Sequence, residues 1–169
     1  QKEGTLYKGY DIPLTKMVGV IGTAPAGEGV NTGTPDDHGG NLDTTLLTEG
    51  ATLYLPVNVD GALLAMGDMH SSMGDGEIMG SGLEVAGEIE VTVEVLKDST
   101  LPLPFVETDE VYATLASRET MEEASKVAIN NMVEVLRSKT DLTFNQAGMF
   151  LSLAGDLKVS QVVNPNKTM

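Results

Sequence analysis

The sequence predicts an α+β fold, mainly antiparallel β-sheet in a β-rich, sandwich-like first part, with two amphipathic helices near the C-terminus. Two observations carry that expectation. Short apolar runs rich in β-branched residues, separated by glycine-rich polar segments, dominate the first part. Two capping-box signatures, each followed by apolar residues at helical spacing, occupy the last part. The 169 residues fit a single domain or a fragment of something longer, with an acidic β-rich part at 17–97 and a helical part with a final strand at 117–163.

The runs at 5–10, 17–22, 51–57 and 62–66 read as strands. A long glycine-rich loop, 23–44, connects the second and third and is long enough to suggest function. Asp60-Gly61 is a hairpin signal, so 52–57 and 62–68 are expected to pair as antiparallel neighbours. Strict alternation within 84–97 predicts a strand with Ile89, Val91, Val93 and Val95 inward. Its acids, Glu84, Glu88, Glu90 and Glu94, read as an ordinary solvated strand face.

Thr120 and Glu123 form the first capping-box pattern. Met121, Ala124, Val127, Ala128, Met132, Val135 and Leu136 then make one stripe, predicting an amphipathic helix packed on the sheet. Thr143 and Gln146 repeat the pattern, with Phe144, Ala147, Phe150, Leu151 and Ala154 as the buried side and Gly155 as the terminating glycine. Residues 157–163 read as one more strand.

The formal net charge is −15, and it is unevenly spread. Residues 17–96 hold 13 carboxylates and both histidines but no lysine or arginine. A field of that sign repels phosphate backbones, which argues against nucleic-acid binding and favours cations and neutral small molecules. No apolar run approaches the length of a membrane span, and the first residues carry no signal-peptide core, so the chain reads as soluble with no membrane partner. The absence of cysteine removes disulfides, thiolate metal ligands and a cysteine nucleophile, and it suits a cytoplasmic protein. Gln1 at the start and the uncapped end at 164–169 suggest a piece of a longer polypeptide.

The chemistry concentrates in Gly67-Asp68-Met69-His70-Ser71-Ser72-Met73-Gly74-Asp75-Gly76-Glu77. If the strand before it continues through His70, period-two alternation points Asp68 and His70 to the same side. Gly74 and Gly76 permit a sharp turn that returns Asp75 and Glu77 towards them. Taken separately, an Asp-x-His pair is commonly a surface pair and an Asp-Gly-Glu a plain turn. Their closeness, beside a second acidic loop with Asp36, Asp37, His38, Asn41 and Asp43, favours a converged site. With so many oxygen donors and only two histidines, zinc, calcium, magnesium and manganese all remain open.

Other mechanisms lack their parts. Gly-x-Ser-x-Gly is absent, and Ser71-Ser72 have no nearby lysine. The EF-hand spacing is missing, and Gly27-Glu28-Gly29 is no phosphate-cradling loop. Met66, Met69 and Met73 flank the acidic motif and are expected to pack beneath it rather than to ligate copper or haem.

Several motifs in order carry a family resemblance: Val18-Gly19-Val20-Ile21-Gly22-Thr23-Ala24-Pro25, His38-Gly39-Gly40-Asn41-Leu42-Asp43, Leu53-Tyr54-Leu55-Pro56-Val57, Gly61-Ala62-Leu63-Leu64, Gly67-Asp68-Met69-His70 and Gly74-Asp75-Gly76-Glu77. Leu153-Ala154-Gly155-Asp156 and Val162-Val163-Asn164-Pro165 extend it towards the end. Together they resemble the acetamidase/formamidase family. The resemblance implies hydrolysis of a short aliphatic amide, formamide or acetamide, to the carboxylic acid and ammonia. It also implies a longer protein, in which these motifs lie in the second half after a β-rich N-terminal region. Ser72-Met73 stands where the family has a small residue and glutamine, so a glutamine that would bind the amide is missing here.

This residue inventory suits that chemistry. A divalent metal held by Asp68, His70 and an acid such as Asp43 or Asp75 would activate water, with zinc the first choice and calcium the second. Glu77 is the favoured proton carrier, with Asp75 the other catalytic candidate. His38 and Asn41 are the candidates for substrate binding or for completing the coordination shell. The rival expectation is a non-catalytic acidic β domain that binds a structural cation and serves assembly. Strand edges left unpaired in a fragment would seek partners, which predicts a homo-oligomer or association with a complementary N-terminal fragment.

Overall fold

Small antiparallel sheets and two helices make up the chain in the computed structural model, which describes residues 4–169 and agrees with the predicted α+β class. β1 (Gly4–Tyr7) and β2 (Tyr10–Pro13) form a hairpin, so the run predicted as one strand at 5–10 is broken by a turn. The cause is local. Lys8 and Gly9 both take positive φ, and the chain reverses there. β3 (Met17–Gly22), β4 (Gly39–Asn41), β5 (Thr52–Tyr54) and β6 (Ala65–His70) follow. β3 is the centre of one sheet, flanked by β4 and β6.

The second sheet joins β5 to β7 (Phe105–Glu107) and β8 (Tyr112–Thr114), with β7 in the middle. The hairpin expected across Asp60-Gly61 therefore does not form, because β5 pairs with β7 and β6 pairs with β3. After Gly61 the backbone keeps turning, with Ala62 and Leu63 also at positive φ. The carbonyl of Ala62 is taken by the amide of Ala24 rather than by a neighbouring strand.

β9 (Ser117–Arg118) leads into α1 (Met121–Lys139) and α2 (Phe144–Ala154), and the chain ends on β10 (Lys167–Thr168), paired with β9. Both predicted N-caps are present: Thr120 accepts from the Glu123 amide, and Thr143 with Gln146 makes a full capping box. α1 buries Ala124, Ala128, Val133 and Val135, while Met121, at the start of the predicted stripe, is exposed. On α2 only Ala147 is buried, and Phe144 and Phe150 are each 48% exposed, because no layer covers their side among the described residues. The predicted strand at 157–163 is reduced to single bridges that Gln161 makes with Gly76 and Thr168. No described helix is long and apolar enough to cross a membrane.

Two apolar clusters hold these pieces together. Leu42, Leu47, Val106 and Leu115 fill the space between the two larger sheets, with Ile21 and Leu53 packed against them. Ala116, Ala124, Ala128 and Met169 join α1 to the β9–β10 pair. The small side chains of that second cluster let the helix come close enough for the Thr114 hydroxyl to donate to the Ala128 carbonyl at 2.8 Å.

The strand predicted at 84–97 is absent. Residues 83–85 lie against the end of β6, through Ser71 N to Leu83 O at 2.8 Å and Val85 N to Met69 O at 2.9 Å, and the rest of the predicted strand makes no backbone hydrogen bond to any described residue. Val91, Val93 and Val95, expected inward, are 44, 65 and 72% exposed. The alternation is real, but no described strand stands beside it to receive it.

Leu42 is wholly buried and immediately precedes Asp43, so core and acidic site share one stretch of backbone. Leu42→Ala should lower stability by about 2–5 kcal/mol, measured by urea denaturation. A loss below about 0.5 kcal/mol, the range of surface substitutions, would show that this cluster is not the centre of the fold.

Candidate metal centre

β6 delivers Asp68 and His70 to one place. The His70 Nε2 lies 3.3 Å from Asp68 Oδ1, and the ring is almost fully buried. Asp43, just after β4, meets them with its side chain wholly buried. Donor atoms of Asp43, Asp68 and His70 all lie within 4.8 Å of one another. A shared cation at about 2.0–2.6 Å from each ligand requires separations below about 5 Å, so the spacing fits.

The polar accounting points the same way. Asp43 Oδ1 and both ring nitrogens of His70 are buried without a hydrogen-bond partner. His70 Nε2 is also 3.3 Å from Glu84 Oε1. It is thus near two carboxylates but in hydrogen-bond geometry with neither. Buried polar atoms are normally satisfied, and a cation between the imidazole and the carboxylate oxygens would satisfy them together.

Glu77 adds a second buried acid, held by the turn in which its carbonyl accepts from Gly80 N at 2.8 Å. Gly76 N donates to Ser160 O at 2.9 Å and Val162 N donates to Gly76 O at 3.1 Å, so the turn is anchored from the C-terminal part of the chain. Burial, followed by the charge of Asp43, pushes the Glu77 carboxyl up to about 7. Burial also raises Asp43, although the Asn164 hydrogen bond opposes it. Glu84 is raised by burial and then by the neighbouring Asp68 carboxylate. All three are acids crowded around one imidazole, and His70 opposes the rise without cancelling it.

The backbone is bent to achieve this crowding. Asp43, Asp68 and Glu77 have φ of 44°, 56° and 44°, the left-handed region that L-residues normally avoid. Such conformations cost on the order of 1–3 kcal/mol each and cluster where function demands them. Two glycines provide the space. A Cβ on Gly19 would lie 2.6 Å from Asp43 Oδ1 and 2.8 Å from Asp68 Oδ2, and one on Gly82 would lie 2.5 Å from His70 Nδ1.

Asn164 completes the scaffold by donating to Asp43 Oδ2 at 2.8 Å and to the Asn41 carbonyl at 3.1 Å. Its own position comes from Gln161, fully buried, whose Oε1 accepts from the amides of Val163 and Asn164. Asn41 Oδ1 is buried and unpartnered. The other candidates are placed differently. Asp75 is on the surface, accepting from Thr45 Oγ1 at 2.7 Å, outside the trio. His38 is buried against Gly40 and is likewise outside it. Two open hollows of about 290 and 330 Å³ lie elsewhere on the surface, and neither is lined by Asp43, Asp68 or Glu77. The second touches the site only through Gly82, behind His70.

The model of the acetamidase/formamidase family matches residues 10–169. The chain belongs to that family. The chain is 54% identical to a solved acetamidase from Bacillus halodurans, with a TM-score of 0.93 over 96% of this chain and 55% of that one. A predicted acetamidase/formamidase from Thermoanaerobacter tengcongensis is 48% identical, with a TM-score of 0.92 over 96% of this chain and 54% of the other. A formamidase from Methylophilus methylotrophus is 44% identical over 86 residues, which are 50% of this chain and 21% of that protein. The chain thus spans about half the length of these solved acetamidases, and its alignment with the formamidase takes in a smaller share still.

Sequence reasoning missed Glu84 and the supports. Glu84 looks like the first acid of a solvated strand face, but pairing of 83–85 with the end of β6 turns it towards His70. A hint lay in the interruption of strict alternation before Gly87. Asn164 stands in a motif that carries the family resemblance, yet nothing in its local sequence announces a bond to Asp43 across the fold. Gly19 and Gly82 could be recognised only in three dimensions.

Two measurements test this geometry. Acids raised in the folded state hold their protons more tightly than in the unfolded chain, so their contribution to stability is present below the ordinary carboxylate range and is lost as pH rises. In chelator, thermal stability should fall between pH 4.5, the ordinary glutamate value, and about 7, where Glu77 ionises in the folded protein. Glu77→Gln should remove the upper part of that slope, and an unchanged slope would contradict the crowding of charge. Gly82→Ala should displace His70 and weaken divalent-ion binding by about 10–100-fold in calorimetry, as loss of other supporting contacts does. Unchanged binding would mean that His70 is not a ligand.

Proposed function

We propose that this chain supplies the metal-binding and proton-transfer part of an amidase acting on a short aliphatic amide. The observation that carries the reading is the buried Asp43, Asp68 and His70 donor set with its unsatisfied atoms, in a member of the acetamidase/formamidase family. The related proteins from Bacillus halodurans and Methylophilus methylotrophus are named acetamidase and formamidase, and the substrate class is carried over from them.

Asp43, Asp68 and His70 would hold the ion, with zinc favoured by the histidine and calcium the alternative favoured by the oxygens. We prefer Asp43 to Asp75 as the third ligand because Asp43 is buried and unsatisfied while Asp75 is engaged at the surface. A bound divalent ion supplies an acidified water and polarises a carbonyl. Glu77 is the candidate proton carrier, being buried and raised to about 7 by burial and then by the charge of Asp43. It would accept the proton of the attacking water and return it to the amide nitrogen as the C–N bond breaks, so that water and amide become carboxylic acid and ammonia. Glu84, half-exposed beside His70, is a route by which that proton could exchange with solvent. Asn41 Oδ1 is a free acceptor suited to the NH₂ of a primary amide. A neutral amide is not repelled by the negative field, unlike an anionic substrate.

The test is ammonia release from formamide and acetamide together with metal content. It is run on the chain as it stands and on the chain joined to the part of the Bacillus halodurans acetamidase outside the match. Asp68→Asn and His70→Ala should remove both metal and turnover. Glu77→Gln should keep the metal and lower kcat by about 10²–10⁴-fold, the usual share of a general acid–base group. Bound metal without ammonia in any arm would instead favour the domain with a structural cation. Turnover surviving Asp68→Asn and His70→Ala would overturn the metal assignment.

A further inference from the structure

Residues 86–98 follow the segment bridged to the end of β6, and no backbone hydrogen bond joins them to any other described residue. Ile89, Val91, Val93 and Val95 alternate with Glu88, Glu90, Thr92 and Glu94, so paired as a strand the segment would carry the apolar residues on one face and the glutamates on the other. Val91, Val93 and Val95 are exposed. Segment 83–85, just before, is already bonded to the end of β6. An extended segment with period-two apolarity, free donors and acceptors and an anchored start is the acceptor half of a strand pair. The sequence specifies a face that this fold does not bury.

The pattern of charge determines which strand can cover it. Two copies of this chain pairing antiparallel about a two-fold axis would bring carboxylates together. Centred on Ile89, the pairing sets Glu88 against Glu90; centred on Glu90, that residue meets its own copy. Centred on Val91 it sets Glu88 against Glu94, and centred on Thr92 it sets Glu90 against Glu94. Shifting to Val93 opposes Glu88 with Asp98, and shifting to Glu94 opposes that residue with itself. Centred on Val95 no carboxylates meet, but Val93 then faces Lys97 and Val91 faces Ser99, so those two valines are left without apolar partners. Parallel in-register pairing stacks every glutamate on its copy. Like charges directly opposite are destabilising, so the segment is built against its own copy.

We propose that residues 87–96 are a docking edge for a heterologous strand that alternates apolar residues with lysine or arginine. That strand would place its apolar side chains beside Val91, Val93 and Val95 and its cations opposite Glu88, Glu90 and Glu94. No described strand of this chain carries more than one lysine or arginine, so none of them matches that pattern. The occupant is therefore polypeptide outside this sequence, and the solved relatives carry nearly as much chain outside the match as inside it. The assignment is independent of the metal chemistry.

Hydrogen exchange of the chain, read by mass spectrometry, tests it. The probe is a nine-residue peptide alternating valine and lysine. Two controls accompany it: the same residues grouped in blocks, and a peptide alternating valine and glutamate. The alternating lysine peptide should slow exchange across 88–96 at least about tenfold, through strand addition. The controls should not, and Val93→Asp, at an exposed position, should abolish the effect while metal binding stays intact. Equal protection by the grouped peptide would reduce the effect to general attraction and overturn the proposal. So would no protection at all, undiminished binding by Val93→Asp, or protection of the chain alone that grows with its own concentration.

Discussion

A carboxylate buried among other carboxylates, with no lysine or arginine to pair it, is the constraint around which this molecule is arranged. Asp43 is wholly buried, next to Asp68, His70 and Glu77, and no lysine or arginine lies anywhere between residues 17 and 96. An isolated buried charge is costly, and proteins normally pair it or protonate it. Here burial and the neighbouring carboxylates raise Glu77, Asp43 and Glu84. A divalent ion held among them would relieve that crowding, and its binding would then be coupled to stability.

The supports show the same constraint. Left-handed backbone at three carboxylates costs free energy that packing elsewhere must offset. Gly19 sits opposite Asp68 across the β3–β6 ladder, where a side chain would intrude on the donors, and Gly82 closes against the imidazole. Asn164 and Gln161 arrive from the end of the chain, so the site is assembled from parts more than 120 positions apart in the case of Asn164 and Asp43. Leu42 then ties the arrangement to the core between the sheets.

Much of this was legible in sequence because it rests on local rules. Asp68 and His70 are two residues apart on a strand, and periodicity alone predicts that they share a side, as they do. The caps at Thr120 and Thr143 follow from residue types at fixed spacing. What failed was everything set by tertiary pairing. Asp60-Gly61 is a strong hairpin signal, but the positive φ of Ala62 and Leu63 redirects the chain, and long-range partners claim both strands. Asp75 and Glu77 look equivalent in sequence. Tethering of Gly76 to residues 160–162 buries Glu77, while Asp75 faces Thr45 at the surface.

The exposed strand edge and the acidic centre are mechanically connected. Glu84 lies 3.3 Å from His70 Nε2, yet its side chain is 54% exposed, and only the few hydrogen bonds of residues 83–85 hold that segment against β6. Gly87 follows against the Met69 sulfur, and Met69 is the residue between Asp68 and His70. A strand laid along 87–96 would extend this short ladder and fix both Glu84 and the backbone on either side of Met69. The ordering entropy of those residues would then be met by the partner strand rather than by substrate or ion, which is the usual route from a loosely held ligand to a preorganised one. A partner on that unpaired alternation would therefore set how rigidly Glu84 is presented to the buried histidine.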